Sequence, residues 1–172
     1  MSIINVVGAK IWGGGEQYVY DICKQLQQRH RTAYILVDQS NEDMQSRYAQ
    51  VGHVMTANLY TLKGFLSVNA VAKQMKEQGI NTIVCHSGKY ILFCIALKQL
   101  TGAKLVFIKH NLVPGKTDIY HRWINAQVDA FVCVSKLVYD DLMTPAIKDT
   151  SKYHVVYNGI DPNRFQSFSD AV

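Results

Sequence analysis

Three consecutive glycines at residues 13–15, followed by Glu16, stand between an apolar run at residues 3–8 and an amphipathic stretch at 19–26. The run is short and β-branched, which is typical of a buried strand, and apolar spacings of three, four and seven then indicate a helix. Glycines let a ligand approach the backbone, and the amides and dipole at a helix N-terminus favour an anion. The pattern predicts a phosphate-binding turn, and it is also explained by a tight strand-to-helix turn without a ligand.

Other polar residues stand where later predicted strands end. They are Asp38, His86, Ser87, His110, Asn111, Ser135 and Asn158. The carboxyl ends of parallel strands meet at one edge of a sheet, where α/β proteins bind their ligands. We therefore expect most of these side chains to face one cleft.

A dinucleotide site is an alternative for the same edge. No Gly-Lys-Ser/Thr follows the glycines, so the turn is not a P-loop, and contiguous glycines match GxGxxG poorly. Asp38 nevertheless lies about where a dinucleotide-binding fold places its ribose-binding acid. An NAD-dependent oxidoreductase domain using residues 13–15 and Asp38 remains open at this point.

Strands and helices alternate along the chain. We predict strands at 3–8, 32–37, 52–57, 81–86, 104–109, 130–134 and 153–157, and helices following the glycines and at 62–78, 90–100, 119–127 and 136–143, with a short helix or loop at 41–50. Phe65, Leu66, Val68, Ala72 and Met75 form the apolar side of the predicted helix 62–78. This order calls for a doubly wound α/β domain, Rossmann-like, with a mostly parallel sheet of about seven strands. Residues 1–172 form a single domain in this interpretation.

The composition is that of a soluble globular domain, with 172 residues, 48% hydrophobic and 18% charged. The net charge of +5 is spread along the chain, so we expect no nucleic-acid partner. Cys23, Cys85, Cys94 and Cys133 show no metal-ligand spacing, and no metal or other cofactor is expected. Free thiols, with no leader sequence or membrane-length apolar run, favour a cytoplasmic location.

Three segments resemble the N-terminal domain of family-four glycosyltransferases, retaining enzymes of the GT-B fold. GGGEQYVYDICKQL is similar to the family's glycine loop and first helix, and VDAFVCVSKLVYDDL to its segment of strand, Ser and helix. VVYNGIDPNRF is similar to the signature that closes the domain. Their order and spacing cover nearly the whole chain.

The resemblance implies one half of a two-domain enzyme. Such enzymes hold the acceptor mainly on the N-terminal domain and the nucleotide-sugar donor on a C-terminal domain, which this sequence does not contain. We expect the 172 residues alone to be inactive. The implied acceptor is a glycan or a lipid-linked sugar, in the synthesis of a surface polysaccharide, lipopolysaccharide or glycolipid.

The resemblance also assigns roles to individual residues. Gly14 and Gly15 match the loop that approaches the donor diphosphate, and Glu16 matches the family's acid. His110 matches a His that contacts the transferred sugar, and we assign it as the catalytic-site residue and not as a base. His86, Asn111 and Ser135 are further substrate-binding candidates.

Two alternatives remain open besides the oxidoreductase. His86 could be a satisfied loop histidine and Ser135 only a helix cap, and the chain could bind a glycan or sugar nucleotide without catalysis. The helix at 62–78 mixes Lys63, Lys73 and Lys76 with apolar residues. In the family, such surfaces contact membranes, which would place the protein peripherally at the inner face of the membrane, and a core-facing helix with solvated lysines explains the pattern as well.

Overall fold

The computed structural model describes residues 2–60, 64–143, 147 and 150–159. The strands are β1 (Ile3–Val7), β2 (Tyr34–Asp38), β3 (His53–Ala57), β4 (Thr82–Cys85), β5 (Lys104–Lys109), β6 (Ala130–Cys133) and β7 (Tyr153–Val155). The helices are α1 (Gly14–Gln28), α2 (Glu42–Tyr48), α3 (Gly64–Glu77), α4 (Ile91–Thr101), α5 (Ile119–Gln127) and α6 (Lys136–Leu142), with a 3₁₀ turn at Gly88–Tyr90.

All seven strands pair in parallel, in the order β3-β2-β1-β4-β5-β6-β7. The order runs outward in one direction from β1 to β3 and in the other from β4 to β7. The chain therefore changes direction between β1 and β4, and a crevice opens there beyond the carboxyl ends of the strands. The predicted Rossmann-like, doubly wound fold is confirmed.

The sheet is buried on both faces because its side chains alternate between two apolar layers. On β1, Ile4 and Val6 pack into the layer that includes residues of α3 and α4, and Val7 packs into the layer with α1 and α2. Asn5, a polar residue in the middle of this strand, is only 3% exposed. An amide at such a position needs hydrogen-bond partners, and its partners lie in the site described below.

Several predicted boundaries shift by one or two residues. β2 begins at Tyr34 rather than residue 32 and includes Asp38, and β7 ends at Val155 rather than residue 157. The segment predicted as a short helix or loop at 41–50 is helical from Glu42 to Tyr48.

One predicted core residue is wrong. Leu66, predicted on the apolar side of its helix, is 81% exposed. Val68, Ala72 and Met75 do pack into the core, together with Val71. Leu66 and Val68 are two positions apart, about 200° around a helix, so both cannot face the same layer. Lys63 and the side chain of Phe65 lie outside the described residues.

The four cysteines are free and buried, as expected of reduced thiols. No helix within the described ranges has the length and apolar character needed to cross a membrane.

Candidate functional site

The loop from Gly8 to Gly13 leaves β1 and enters α1. A Cβ at Gly8 would lie 2.8 Å from the Tyr60 hydroxyl and 2.9 Å from the Tyr90 ring, so any larger residue here would force these tyrosines to shift. Asn41, the N-cap of α2, donates through Nδ2 to the Ala9 carbonyl at 2.9 Å. The loop is therefore held from both sides before it reaches the helix.

The start of α1 is open to an anion. Gly13 is the N-cap and has no side chain, so no side-chain oxygen caps the amides of the first turn. Glu16 turns back, and its Oε2 accepts a hydrogen bond from the Gly13 amide at 3.1 Å. The amides of Gly14, Gly15 and Glu16 come at the positive end of the helix dipole, where phosphate oxygens bind.

A cavity of about 1030 Å³, here called the loop cavity, lies beside these amides. Its lining includes Gly14, Gly15, Glu16, Lys10, Lys89, His86, His110 and Asn111. Lys10 and Lys89 offset the carboxylates of Glu16 and Asp38, which line the same cavity, so the free amides at the start of α1 are the groups that suit an anionic ligand here.

Asp38 also lines the loop cavity, but its carboxylate holds the protein together. Oδ2 accepts from the Leu59 amide at 2.9 Å, and Oδ1 accepts from the Ser40 amide at 3.0 Å and from the Ser40 hydroxyl. Although burial opposes ionisation, the hydrogen bonds from Ser40 and Leu59 and the charge of Lys10 leave the pKa of Asp38 below its usual value. Both oxygens are engaged, so these contacts favour a structural role for Asp38 over ribose binding.

A second cavity of about 350 Å³, here called the apolar cavity, lies below the loop that follows β5. Its walls include Ile91, Phe107, Ile124, Val128, Phe131 and Leu142. Its polar lining includes Lys109, Lys116, His121, His110, His86 and Asn111. Burial and the charge of Lys116 lower the pKa of Lys109, although Cys133 and Asp141 oppose the shift.

His86 and His110 line both cavities and contact each other. His86 follows β4 and His110 follows β5, so neighbouring parallel strands bring the rings together. Nδ1 of His86 lies 3.0 Å from Nε2 of His110, and the rings stack with centroids 5.4 Å apart. On its other side, Nε2 of His86 lies 3.1 Å from Oδ1 of Asn5.

Tyr18 of α1 packs its ring against both histidines of the pair. Its ring meets His110 edge to face at a centroid distance of 5.2 Å and His86 at 6.2 Å. Burial raises the pKa of the Tyr18 hydroxyl, which stays protonated near neutral pH. The first helix thus fixes both the glycine loop and the face against which the histidines pack.

Both histidines are held neutral. Burial, with a contribution from the nearby His110 ring, lowers the pKa of His86 to about 3, and burial lowers the pKa of His110. Neither ring carries a charge at neutral pH, so each has one N–H donor and one nitrogen lone pair.

The structure brings most of the predicted site residues to one edge of the sheet. Gly14, Gly15 and Glu16 line the loop cavity, and His86, His110 and Asn111 line both cavities. Ser135 lines neither one: its hydroxyl oxygen accepts from the Val138 amide at 3.2 Å and caps α6, as the helix-cap alternative predicts.

Asn5 and Tyr18 were missed as site residues. Asn5 was counted within an apolar strand, and its one signal was a polar residue in the middle of that run. Tyr18 follows the glycines by three residues and gave no chemical signal. Among the residues that the structure describes, no group of three His, Cys, Asp or Glu side chains could hold a metal ion. That the site works without a metal stays a prediction.

The family model for Glycosyltransferase Family 4 matches residues 12–164 of the chain. The match begins just before the glycine loop and includes β7. A search of curated proteins gives no match.

Solved structures share the fold. A glycosyltransferase from Rickettsia africae superposes with a TM-score of 0.78 at 17% identity, over 96% of this chain and 48% of that one. Alr3699/HepE from Anabaena, solved with UDP and glucose, superposes with a TM-score of 0.70 at 17% identity, over 95% of this chain and 46% of that one. The lipopolysaccharide outer core galactosyltransferase WaaB superposes with a TM-score of 0.64 at 14% identity, over 94% of this chain and 46% of that one. The chain spans about half the length of the structures that it matches.

Proposed function

The chain belongs to Glycosyltransferase Family 4, and on that premise we propose that it is the acceptor-side domain of a retaining, nucleotide-sugar-dependent glycosyltransferase. The observation that carries the proposal is the position of His110, which lines both the loop cavity and the apolar cavity. A group transferred from one cavity to the other would pass this ring.

The loop cavity is the donor side in this proposal. The free amides of Gly14 and Gly15 complement a diphosphate without a bound metal, while Lys10 and Lys89 offset the carboxylates of Glu16 and Asp38 in the same cavity. The structure of Alr3699/HepE with UDP and glucose supports a uridine-diphosphate donor by analogy. Most of the contacts to the nucleotide would come from a donor-binding domain outside these 172 residues, so we expect this chain alone to be inactive.

The apolar cavity is the acceptor side. Its buried walls suit an apolar or carbohydrate surface, while Lys109, Lys116 and His121 offer hydrogen-bond donors to an acidic or phosphorylated group. A glycan or lipid-linked sugar of a surface polysaccharide, lipopolysaccharide or glycolipid pathway combines these features. The fold shared with WaaB agrees with this pathway class.

The transfer breaks the bond from the anomeric carbon of the sugar to the diphosphate oxygen and forms a bond from that carbon to the acceptor hydroxyl oxygen. The acceptor proton leaves with the diphosphate. The transition state gathers positive charge on the sugar ring and negative charge on the leaving group, which the amides of α1 stabilise. A neutral His110 orients a sugar hydroxyl and acts as neither nucleophile nor base.

An exposed apolar surface next to the acceptor cavity supports contact with a membrane. Ile119, Tyr120 and Trp123 of α5 are 86%, 51% and 49% exposed, and the exposed Lys116 and Arg122 accompany them. Apolar side chains with neighbouring cations are the pattern of a surface that rests on anionic lipids. Tyr120 and Lys116 also line the apolar cavity, so a lipid-linked acceptor could enter from this surface. With four reduced thiols, we place the protein in the cytoplasm, at the inner face of the membrane.

The test is a panel of nucleotide sugars given to the whole protein encoded by the gene, with a membrane extract as the acceptor source. We expect release of nucleoside diphosphate from one donor and a product with the anomeric configuration of that donor, by NMR. The 172-residue chain serves as the comparison and should release none. Binding of a glycan or nucleotide sugar by the whole protein without turnover would favour a binding module instead.

A further inference from the structure

We infer that Asn5 and His86 are positioning residues that fix the proton of His110 on Nε2 and leave its Nδ1 as the hydrogen-bond acceptor of the site. The use of that acceptor by a sugar hydroxyl rests on the proposed function. The proton assignment itself rests on the contacts of these side chains and on the neutrality of the two rings, and not on the proposed function.

Asn5 sets the direction of the chain of hydrogen bonds. Its Nδ2 lies 3.9 Å from the Sγ of Cys23, and its Oδ1 lies 3.1 Å from Nε2 of His86. Burial raises the pKa of Cys23 to about 12, so the thiol is neutral and can accept from an amide N–H or donate its S–H. The assignment is therefore carried by the orientation of the amide itself, with Nδ2 toward Cys23 and Oδ1 toward His86. A carbonyl oxygen only accepts, so Nε2 of His86 must carry a proton.

The next bond follows from counting protons. Neutral His86 has a single N–H, on Nε2, so its Nδ1 is a lone pair. Nδ1 lies 3.0 Å from Nε2 of His110, and two lone pairs at that distance would repel. Nε2 of His110 must therefore be the donor. The opposite arrangement, with both nitrogens of His86 protonated, would place a cation in a site where burial strongly disfavours one.

The free position is then Nδ1 of His110. Neutral His110 with a proton on Nε2 has its lone pair on Nδ1, and within the described residues no hydrogen bond is formed there. His110 lines both cavities, and Nδ1 is its one nitrogen outside the hydrogen bond with His86, so Nδ1 is the atom left to accept from a ligand hydroxyl. His86 lines both cavities too, but its two nitrogens are engaged by Asn5 and His110. We therefore assign His86 to positioning rather than to direct substrate binding.

Reversing the Asn5 amide would reverse the whole chain. An amide N–H facing Nε2 of His86 would move the His86 proton to Nδ1, where it would donate to Nε2 of His110. The His110 proton would then stand on Nδ1, and the site would offer a donor where it now offers an acceptor. Asn5, the single polar residue in β1, thus decides whether Nδ1 of His110 accepts a hydrogen bond from a ligand hydroxyl or donates one to it.

The test is ¹⁵N NMR of the histidine side chains in the labelled 172-residue chain at pH 7.5. We expect the His110 Nε2 to carry the proton, the His110 Nδ1 to be unprotonated, and a scalar coupling across the hydrogen bond between Nε2 of His110 and Nδ1 of His86. A proton on Nδ1 of either ring would overturn the assignment. This measurement needs no variant and no ligand.

Two variants then test positioning. Asn5→Asp places a carboxylate on Nε2 of His86, which raises the pKa of that ring and lets its Nδ1 donate, so the His110 proton should move to Nδ1. Asn5→Leu removes the acceptor without adding a charge and should leave His110 in mixed tautomers. In the whole protein, both variants should lower kcat about tenfold, the equivalent of one hydrogen bond, with little change in the acceptor KM. Should Asn5→Leu not fold, His86→Leu serves as the second variant. Equal kcat for Asn5→Leu and the unchanged protein would overturn the positioning role.

The two proposals fail separately. If the coupling and the proton assignment are observed but no nucleotide sugar is turned over, the proposed function fails and the assignment stands. If transfer occurs but the proton lies on Nδ1 of His110, the positioning inference fails and the proposed function stands.

Discussion

Gly15 of the glycine loop faces the ring of His110: a Cβ built on Gly15 would lie 3.9 Å from Cδ2 of that ring. The loop follows β1 and His110 follows β5, with β4 between them in the sheet. The helix N-terminus that suits an anion and the imidazole shared by the two cavities are therefore neighbours. A donor diphosphate bound to the loop would bring its sugar to His110.

Gly15→Ala should separate donor binding from stability. The new methyl group meets only an ordinary contact at 3.9 Å, and the residue lies in a helix without a positive φ. Alanine is the better helix former, so we expect the free energy of unfolding to be unchanged or to rise by about 0.5 kcal/mol. The methyl group would stand in the path of the diphosphate, so the donor KM should rise about tenfold or more.

Gly102→Ala is the matched control for a glycine with a conformational role. Gly102 ends α4 with φ of 73°, where a side chain is strained. We expect a loss of about 1 kcal/mol in the free energy of unfolding and an unchanged donor KM. An unchanged donor KM in Gly15→Ala would mean that the loop does not approach the donor.

The histidine pair predicts a loss of stability on mild acidification. The folded-state pKa of His86 is about 3 against 6.5 for an ordinary histidine, so between these values the unfolded chain binds the extra proton. Linkage then lowers the free energy of unfolding as the pH falls below 6.5, by about 2 kcal/mol between pH 7 and pH 5.

The measurement is urea denaturation of the 172-residue chain at the two pH values, beside His86→Asn, which cannot titrate. Carboxylates contribute little above pH 5, so the difference between the two proteins isolates the histidine. The same loss of stability in His86→Asn would show that another group is responsible.

Asp38→Ala tests whether this acid is structural. Its removal leaves the Leu59 amide without its buried acceptor, so we expect the free energy of unfolding to fall by about 2 kcal/mol. A calorimetric titration of the unchanged chain with NADH should show no binding. Saturable NADH binding that Asp38→Ala abolishes would restore the dinucleotide alternative.

The exposed surface of α5 predicts binding to anionic lipids. The double variant Ile119→Ser and Trp123→Ser alters exposed positions and should leave the thermal midpoint nearly unchanged. Sedimentation of the whole protein with phosphatidylglycerol vesicles should fall several-fold in this variant, while phosphatidylcholine vesicles sediment little of either protein. Leu137→Ser is the control, because Leu137 is also an exposed apolar residue but lies on α6. This variant should sediment like the unchanged protein. Equal sedimentation of all three would exclude α5 as the contact.

The sequence predicts the elements well where apolar periodicity is strong. The runs at β1, β2, β4 and β5 are short and mostly apolar, which is typical of buried strands, so these strands and the parallel sheet could be predicted. Leu66 was misplaced because a dense apolar stretch does not show which side of the helix faces the sheet. The helix-cap role of Ser135 and its ligand role look alike in sequence, and only the hydrogen bond to Val138 distinguishes them.

The grouping of Asn5, His86 and His110 could be predicted only in part. The strand-end rule brings His86 and His110 to one edge, because each directly follows a buried strand. Which nitrogens meet depends on ring orientation, set by Tyr18 and by the depth of Asn5 in β1. These are contacts between residues 24 to 92 positions apart, and no local pattern records them.

The most direct test of the central claim compares His110→Ala with His154→Ala in the whole protein. His154 is exposed on β7 and lines neither cavity, so its removal controls for the loss of a histidine. With the donor selected from the panel, we predict a transfer rate at least about a hundredfold lower for His110→Ala, while His154→Ala transfers like the unchanged protein. Equal rates for the two variants would contradict a transfer site at His110.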